Sequence, residues 1–245
     1  MRCRLAEAGC ARKTDVLNSY LTKAEPMNRR IFLVLGSAFA AILAAALTFY
    51  TVPPVAAEAP KPDVNLDELM KKGDLPDNVI GNADAPVTII EYSSMTCPHC
   101  AAFHKEVLPL IKSKYIDTGK VRYIIREFPL DNVAATAAML ARCVDPAKYY
   151  DFVDMLYTRQ EDWAYKDQPL PELQKLSKQA GFTDERFKQC TSDEKTLNYI
   201  SWVRDRANKQ FGVRATPSFF VNGKRIKGAA TIQKFDELIA AEAKS

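Results

Sequence analysis

The feature that most constrains this chain is the segment Cys97-Pro98-His99-Cys100, which lies between a strand pattern and a helix pattern. The residues before it, Val87 to Tyr92, form a short apolar and β-branched run typical of a strand. The residues after it, over Pro98–Tyr115, place apolar side chains three to four positions apart, which predicts a helix. The free N–H groups and the positive dipole end of that helix favour a thiolate, the reactive form of cysteine.

Two cysteines at this spacing can also form half of a zinc site or a purely structural disulfide. A structural zinc site needs four Cys or His ligands, usually as two such pairs. Cys143 and Cys190 stand alone in the sequence, and the only histidines, His99 and His104, lie beside the first pair. The sequence therefore favours a redox-active dithiol, and we expect neither a metal nor a cofactor.

The residues from Glu91 to Phe103, together with Thr216-Pro217, resemble the DsbA-type thiol:disulfide oxidoreductases of the thioredoxin superfamily. The likeness covers nearly all of residues 77–244. It implies an α/β fold, namely a thioredoxin fold with an inserted all-helical domain.

The order of patterns along the chain agrees with that architecture. A strand, a helix and a strand occupy residues 79–130, and only helical patterns follow over 131–211. A hairpin signal at Asn222-Gly223 and a final amphipathic helix lie within 212–245. We therefore assign 79–130 and 212–245 to the thioredoxin-like domain and 131–211 to the helical insertion.

The N-terminal part of the chain carries the pattern of an export segment. Met27–Arg30 is a basic start, and the run of apolar or small residues Ile31–Phe49 follows it, so residues 27–59 are interpreted as a signal peptide or an N-terminal membrane anchor. Because such a segment normally begins at the first methionine, we interpret residues 1–26 as a mis-assigned upstream extension.

Residues 60–78 are expected to be a linker with a short helix at Leu66–Lys72, which is either a spacer or an arm for oligomerisation. With translation starting at Met27, Cys3 and Cys10 are not part of the mature protein and four cysteines remain. An even number of cysteines behind an export signal indicates an oxidising compartment. We expect the periplasm, with anchoring in the inner membrane by residues 31–49 left open.

The charge balance excludes nucleic acid as an expected partner. Residues 1–57 hold 7 of the 34 Lys and Arg and 3 of the 30 Asp and Glu, which leaves 27 of each from Glu58 onward. A nucleic-acid-binding domain would carry a basic excess on its surface.

The two thiols have different expected roles. Cys97 lies nearer the helix start and is the expected nucleophile, whereas Cys100, one helical turn on, is the expected buried resolving sulfur. Pro98 and His99 complete the catalytic motif, and we expect the His99 imidazole to stabilise the Cys97 thiolate. A stabilised thiolate favours the reduced form and makes the disulfide a stronger oxidant. We expect His104 to lie at the surface, outside catalysis.

Further roles concern residues outside the motif. By resemblance, Glu91 matches a buried acid that passes protons to or from the resolving sulfur, although an outward-facing strand glutamate stays open. Thr216-Pro217 matches the cis-proline loop of the family, which binds substrate backbone, with an ordinary trans turn as the alternative. Cys143 and Cys190 are expected to form a structural disulfide, because neither lies in a C-x-x-C motif, and a secondary redox role stays open.

We therefore expect an exported enzyme that donates its Cys97–Cys100 disulfide to reduced secreted proteins during oxidative folding. By resemblance, its reoxidant is a membrane quinone-linked protein of the DsbB type. A disulfide isomerase or reductase of the same fold is an alternative, because Thr216 does not decide between them. A non-enzymatic, chaperone-like surface protein is another.

Overall fold

The computed structural model describes residues 63–226 and 230–243. The expected upstream extension, the export segment Ile31–Phe49, and Cys3 and Cys10 all lie outside the described residues. Within the described ranges, no helix has both the length and the apolar character needed to cross a bilayer.

A five-stranded mixed sheet forms the centre of the fold. In chain order the strands are β1 (Asn78–Ile80), β2 (Val87–Ser93), β3 (Val121–Glu127), β4 (Ser218–Val221) and β5 (Lys224–Arg225), and their spatial order is β1-β3-β2-β4-β5. β2 pairs in parallel with β3 and antiparallel with β4. β1 pairs antiparallel with the other edge of β3, and β5 pairs antiparallel with β4.

Helices alone occupy the chain between β3 and β4, so a helical segment interrupts the strand order. The α-helices are α1 (Leu66–Met70), α2 (Pro98–Glu106), α3 (Leu108–Ile111), α4 (Asn132–Cys143), α5 (Tyr149–Thr158), α6 (Gln160–Trp163), α7 (Pro169–Gln179), α8 (Asp184–Thr191), α9 (Glu194–Phe211) and α10 (Ile232–Glu242). A π-helical turn, Lys112–Ile116, follows α3, and a 3-10 turn, Pro146–Lys148, precedes α5.

Two apolar cores lie on the two faces of the sheet. Ile89 of β2 belongs to the core that α2, α5 and α10 share, whereas Ile90 belongs to the core that contains Leu69 of α1 and Phe211 of α9. Because alternate residues of a strand point to opposite faces, Glu91 and Ser93 lie on the same face as Ile89. This face carries the functional site.

The helix expected over Pro98–Tyr115 is interrupted, as its internal proline predicts. α2 ends at Glu106, and α3 begins after Val107, whose φ of −107° departs from the helical range. Pro109 lacks the N–H that would bond the carbonyl of Lys105, so the ladder breaks within that turn. Cys100 lies in the first segment, α2, and Cys97 is the N-cap residue directly before it.

The hairpin expected at Asn222-Gly223 is confirmed. Both residues have positive φ, 44° and 88°, and they join β4 to β5. These values match the two-residue turn that fits the twist of paired strands.

The segment expected to be a linker is packed on the domain instead. Leu69 is fully buried, and the side chain of Arg126 donates to its carbonyl at 2.6 Å. Residues 78–80 form β1, which is too short to leave a recognisable pattern in the sequence. α1 also ends at Met70, two residues before the expected end at Lys72. Residues 63–78 are therefore part of the fold and not a free spacer.

Candidate active site

The two thiols lie at the first turn of α2, directly after β2. Cys97 is the N-cap residue, and Pro98 occupies the first helical position, where the absent N–H leaves no bond unmade. Cys97 is 4% exposed, Cys100 is fully buried, and both are free thiols. The expected position at a strand-to-helix junction is confirmed, but Cys97 is far less exposed than a freely accessible nucleophile.

Hydrogen-bond donors around Cys97 lower its pKa from an ordinary value of 9.0 to about 5. The largest effect is the hydrogen bond from the Cys100 thiol, while burial acts in the opposite direction. The side chain of Thr216 lowers the pKa further. The backbone N–H groups of Cys100 and His99 add to this effect, as expected at a helix N-terminus.

The contribution of His99 to this thiolate comes from its backbone N–H. Its imidazole is exposed and lines a groove beside Thr216 and Pro217. The stabilising role that the sequence assigns to the imidazole stays a prediction.

The pKa of Cys100 moves in the opposite direction. Burial raises it well above the ordinary value, and the hydrogen bond with Cys97 and the charge of Glu91 raise it further. At neutral pH the reduced site therefore holds a thiolate at Cys97 and a protonated thiol at Cys100.

The loop before β4 brings Thr216-Pro217 against the dithiol. The peptide bond between these two residues is cis, as the sequence predicts. The Cys97 Sγ lies 3.2 Å from the carbonyl oxygen of Thr216, although 119 residues separate the two in the chain. The pairing of Ser218 on β4 with Tyr92 on β2 sets this approach.

Glu91 is fully buried on the face of β2 that points toward α2. Its Oε1 accepts a hydrogen bond from Ser93 at 2.8 Å, and its Oε2 accepts from the hydroxyl of Tyr123 and from His104 Nε2 at 2.9 Å. Because a carboxylate only accepts, Nε2 carries the imidazole proton in this arrangement. The structure thus places the acid inward, and its charge acts on the thiol of Cys100.

The prediction that His104 lies at the surface is wrong. His104 is only 3% exposed, and its ring centre lies 4.3 Å from that of Tyr157. Residues four apart share a helix face, so His104 points inward with Cys100, and Glu91 supplies the partner that a buried imidazole requires. This spacing from a thiol expected to be buried was the signal in the sequence that could have located it.

The helical segment contributes to the site through residues that the sequence analysis missed. Gln160 of α6 donates to the carbonyls of Met95 at 2.8 Å and of Cys97 at 3.1 Å. The hydroxyl of Tyr165 lies 2.9 Å from the carbonyl of Thr96 and 2.9 Å from Gln160 Oε1. These contacts hold the active-site loop in place, and no pattern in the local sequence predicts them.

A groove of about 640 Å³ opens beside the dithiol. It runs between α2 and the cis-proline loop, and Leu110 on its wall is 48% exposed. Its apolar lining includes Phe103, Pro217 and Ile226.

Comparison with known proteins gives the family. Residues 74–241 match the family model described as thioredoxin. The crystal structure of alpha-DsbA1 from Wolbachia pipientis superposes with a TM-score of 0.67 at 32% identity, covering 74% of this chain and 97% of that one. This chain is a DsbA-type member of the thioredoxin superfamily. The predicted α/β thioredoxin fold with an inserted helical domain is confirmed.

Other DsbA-type relatives agree. The oxidised BdbD structure from Bacillus subtilis has a TM-score of 0.62 at 26% identity and covers 75% of this chain and 97% of that one. A Rickettsia bellii relative, named provisionally as a protein-disulfide oxidoreductase, is 37% identical over 169 residues, which is 66% of this chain. The chain spans 63% of the length of that relative.

This DsbA-type chain also has a second cysteine pair. Cys143 at the end of α4 and Cys190 in α8 form a disulfide, with their Cα atoms 5.9 Å apart, so the predicted pairing is confirmed. The bond joins two helices of the segment between β3 and β4.

Proposed function

We propose that this protein is an exported thiol:disulfide oxidase that donates its Cys97–Cys100 disulfide to reduced secreted proteins during oxidative folding. The observation that carries the proposal is the opposed ionisation of the two thiols. The pKa of Cys97 is lowered to about 5, while that of Cys100 is raised. Since a stabilised thiolate favours the reduced dithiol, the disulfide form is the stronger oxidant.

The reaction follows from this asymmetry. A substrate thiolate attacks Cys97 Sγ, the Cys97–Cys100 bond breaks, and Cys100 leaves as a thiolate that takes up a proton. A second substrate thiol then attacks the substrate sulfur of the mixed disulfide, and Cys97 leaves as its stabilised thiolate. Thiols of low pKa leave fast, so this second step is favoured. Two substrate thiols become a disulfide, and the enzyme is reduced.

The cis-proline loop and the groove support substrate binding next to the reacting sulfur. The backbone of Thr216 lies beside Cys97, where an extended substrate segment can pair with it as an added strand. The groove beside this loop offers apolar walls for side chains of that segment. Glu91, buried behind the dithiol, is the group proposed to exchange protons with Cys100.

The reduced enzyme then requires an oxidant. We propose a membrane quinone-linked partner of the DsbB type and a periplasmic location, with the predicted segment Ile31–Phe49 directing export. The resemblance to DsbA-type enzymes supports the partner, and the composition of the N-terminal segment supports export. A Bacillus subtilis relative, 29% identical over 68% of this chain and 77% of its own length, is named disulfide bond formation protein D.

Peptide-thiol oxidation, insulin reduction and the reduction potential test the proposal. The oxidised protein should oxidise a peptide dithiol, and Cys97→Ala should abolish this activity, whereas the double variant Cys143→Ala/Cys190→Ala should retain it. The potential should lie far above the value of about −270 mV that is typical of thioredoxin. A value near that of thioredoxin would indicate a reductase, and unchanged oxidation by Cys97→Ala would indicate a non-enzymatic role.

A further inference from the structure

An amide side chain from the helical segment binds the backbone on both sides of Thr96, directly before and at the nucleophile. Gln160, the first residue of α6, is 3% exposed. Its Nε2 donates to the carbonyl of Met95 at 2.8 Å and to that of Cys97 at 3.1 Å, although 63 residues separate it from Cys97 in the chain. One amide group therefore bridges two carbonyls of the active-site loop.

The neighbouring groups fix the orientation of this amide. A backbone carbonyl only accepts, so the amide presents its NH₂ group, with both protons, to Met95 and Cys97. Its oxygen faces Tyr165, whose hydroxyl lies 2.9 Å from Gln160 Oε1 and 2.9 Å from the Thr96 carbonyl. Both of these atoms are acceptors, so they share the one hydroxyl proton. Two side chains of the helical segment thus hold three consecutive carbonyls.

The carbonyl of Cys97 matters most, because Cys97 is the N-cap residue of α2. Its backbone is extended, with φ −81° and ψ 120°, a conformation that places an N-cap side chain beside the free N–H groups of the first turn. The same carbonyl accepts from the N–H of Ala101 at 3.2 Å. A change in ψ would turn this carbonyl and the start of the helix relative to the sulfur, and the bond from Gln160 opposes that rotation.

We propose that Gln160 is a positioning residue for the nucleophile, which fixes the backbone of Cys97 and so keeps its sulfur at the N-terminus of α2. The inference deepens the proposed function and rests on it for its role in disulfide donation. The sulfur held in this way lies 3.2 Å from the carbonyl oxygen of Thr216 in the cis-proline loop. The helical segment therefore contributes to the chemistry through the backbone of the active-site loop.

A second effect of the amide has the same sign. The carbonyl oxygen of Cys97 carries a partial negative charge and belongs to the same residue as the thiolate. An N–H donor on that oxygen reduces its repulsion of the charged sulfur. A disulfide carries no charge, so it gains much less from either effect. Gln160 should therefore favour the reduced dithiol and strengthen the disulfide as an oxidant.

Four variants separate this role from a general contribution to stability. Gln160→Met removes both donors and keeps an unbranched side chain of similar length, whereas Gln160→Glu keeps the shape and turns oxygen atoms and a negative charge toward the loop. Tyr165→Phe keeps the ring and removes only the hydroxyl. Ser177→Ala is the control, because Ser177 is fully buried in the same helical segment and its hydroxyl donates to the Leu173 carbonyl within α7 at 2.7 Å.

Three measurements are made on each variant of the full chain. The pH dependence of iodoacetamide alkylation of the reduced protein gives the pKa of Cys97. Equilibration with mixtures of reduced and oxidised glutathione gives the equilibrium constant between the dithiol and the disulfide. Urea unfolding gives the stability, which a merely structural role would change without moving the other two quantities.

We expect Gln160→Met to raise the pKa of Cys97 by about one pH unit, since two hydrogen bonds of ordinary strength correspond to about tenfold in an equilibrium constant. At pH 7 the disulfide should become about tenfold less oxidising, which corresponds to about 30 mV. Gln160→Glu should have a larger effect and Tyr165→Phe a smaller one in the same direction. Ser177→Ala should lower the stability and leave the pKa and the glutathione equilibrium unchanged.

A pKa of Cys97 in Gln160→Met within about 0.3 pH units of the unsubstituted protein, a twofold effect, would overturn the inference. An equal rise in Ser177→Ala would also overturn it, since the effect would then follow from lost stability. If Gln160→Met does not fold, Tyr165→Phe decides, and an unchanged pKa there refutes the role of this cluster. An ordinary pKa of Cys97 in the unsubstituted protein would refute instead the proposed function.

Discussion

Replacing Cys97 by serine should remove a pH-dependent part of the stability of the reduced protein. In the folded protein the pKa of this thiol is about 5, compared with an ordinary value of 9.0 in the unfolded chain. Above pH 9 both states carry the thiolate, and the stabilisation is complete. As the pH falls from 9 to 5 the unfolded chain takes up its proton first, so the stabilisation shrinks, and it is lost as the pH falls through the folded pKa.

The magnitude follows from the linkage between ionisation and folding. One proton differs between the two states over this range, so the free energy of unfolding changes by about 1.4 kcal/mol for each pH unit. At pH 7, midway through the window, about 3 kcal/mol of stabilisation should remain. The resolving thiol does not disturb the comparison, because its raised pKa keeps it protonated in this range.

The assay is urea unfolding of the reduced protein and of Cys97→Ser at pH 5, 6, 7 and 8, with reductant present. The difference in the free energy of unfolding should grow steadily with pH, by about 1.4 kcal/mol per unit. A difference that stays constant within about 0.5 kcal/mol over these four pH values would refute the reasoning, since extrapolation errors are about that size. The thiolate would then not be stabilised by the fold.

An independent control varies the principal donor. Cys100→Ala removes the hydrogen bond that lowers the pKa of Cys97 most, so that pKa should rise, whereas Cys100→Ser keeps a hydroxyl donor and should raise it less. The pH dependence of iodoacetamide alkylation measures both. Equal pKa values in the two variants would show that the donor is not responsible.

Three further predictions concern groups around the site. His104→Leu removes a donor from the buried carboxylate of Glu91 and should lower the free energy of unfolding by about 3 kcal/mol. His104→Gln keeps a donor and should lower it less. Equal losses in the two variants would assign the effect to packing. Replacing both Cys143 and Cys190 by alanine should lower the free energy of unfolding by about 4 kcal/mol, since the disulfide joins residues 47 apart. The rate of alkylation of Cys97 should stay unchanged, and a slower rate would show that the two cysteine pairs are coupled. Gln160→Ala removes two hydrogen bonds from the active-site loop and should lower the free energy of unfolding by about 1 to 3 kcal/mol. Amide hydrogen exchange in that loop should become faster. Unchanged exchange would show that Gln160 does not hold the loop.

The sequence alone determined the features that depend on neighbouring residues. The dithiol at the start of a helix, the interruption near Pro109 and the turn at Asn222-Gly223 all follow from backbone preferences over a few positions. The strand-free stretch between β3 and β4 follows from helical periodicity. Resemblance then supplied the fold and the cis bond before Pro217.

Only the tertiary structure decided which side chains surround the sulfurs. All of β2 is buried because both of its faces are covered, so no alternation of polar and apolar residues reveals the direction of Glu91. The inward position of His104 depends on that carboxylate, and the contact of Gln160 depends on how the helices fold back onto the active-site loop. Local periodicity indicates which face of a helix or strand is apolar. Sheet register and helix packing determine which residues distant in sequence come into contact. The protonation of Cys100 depends on such contacts.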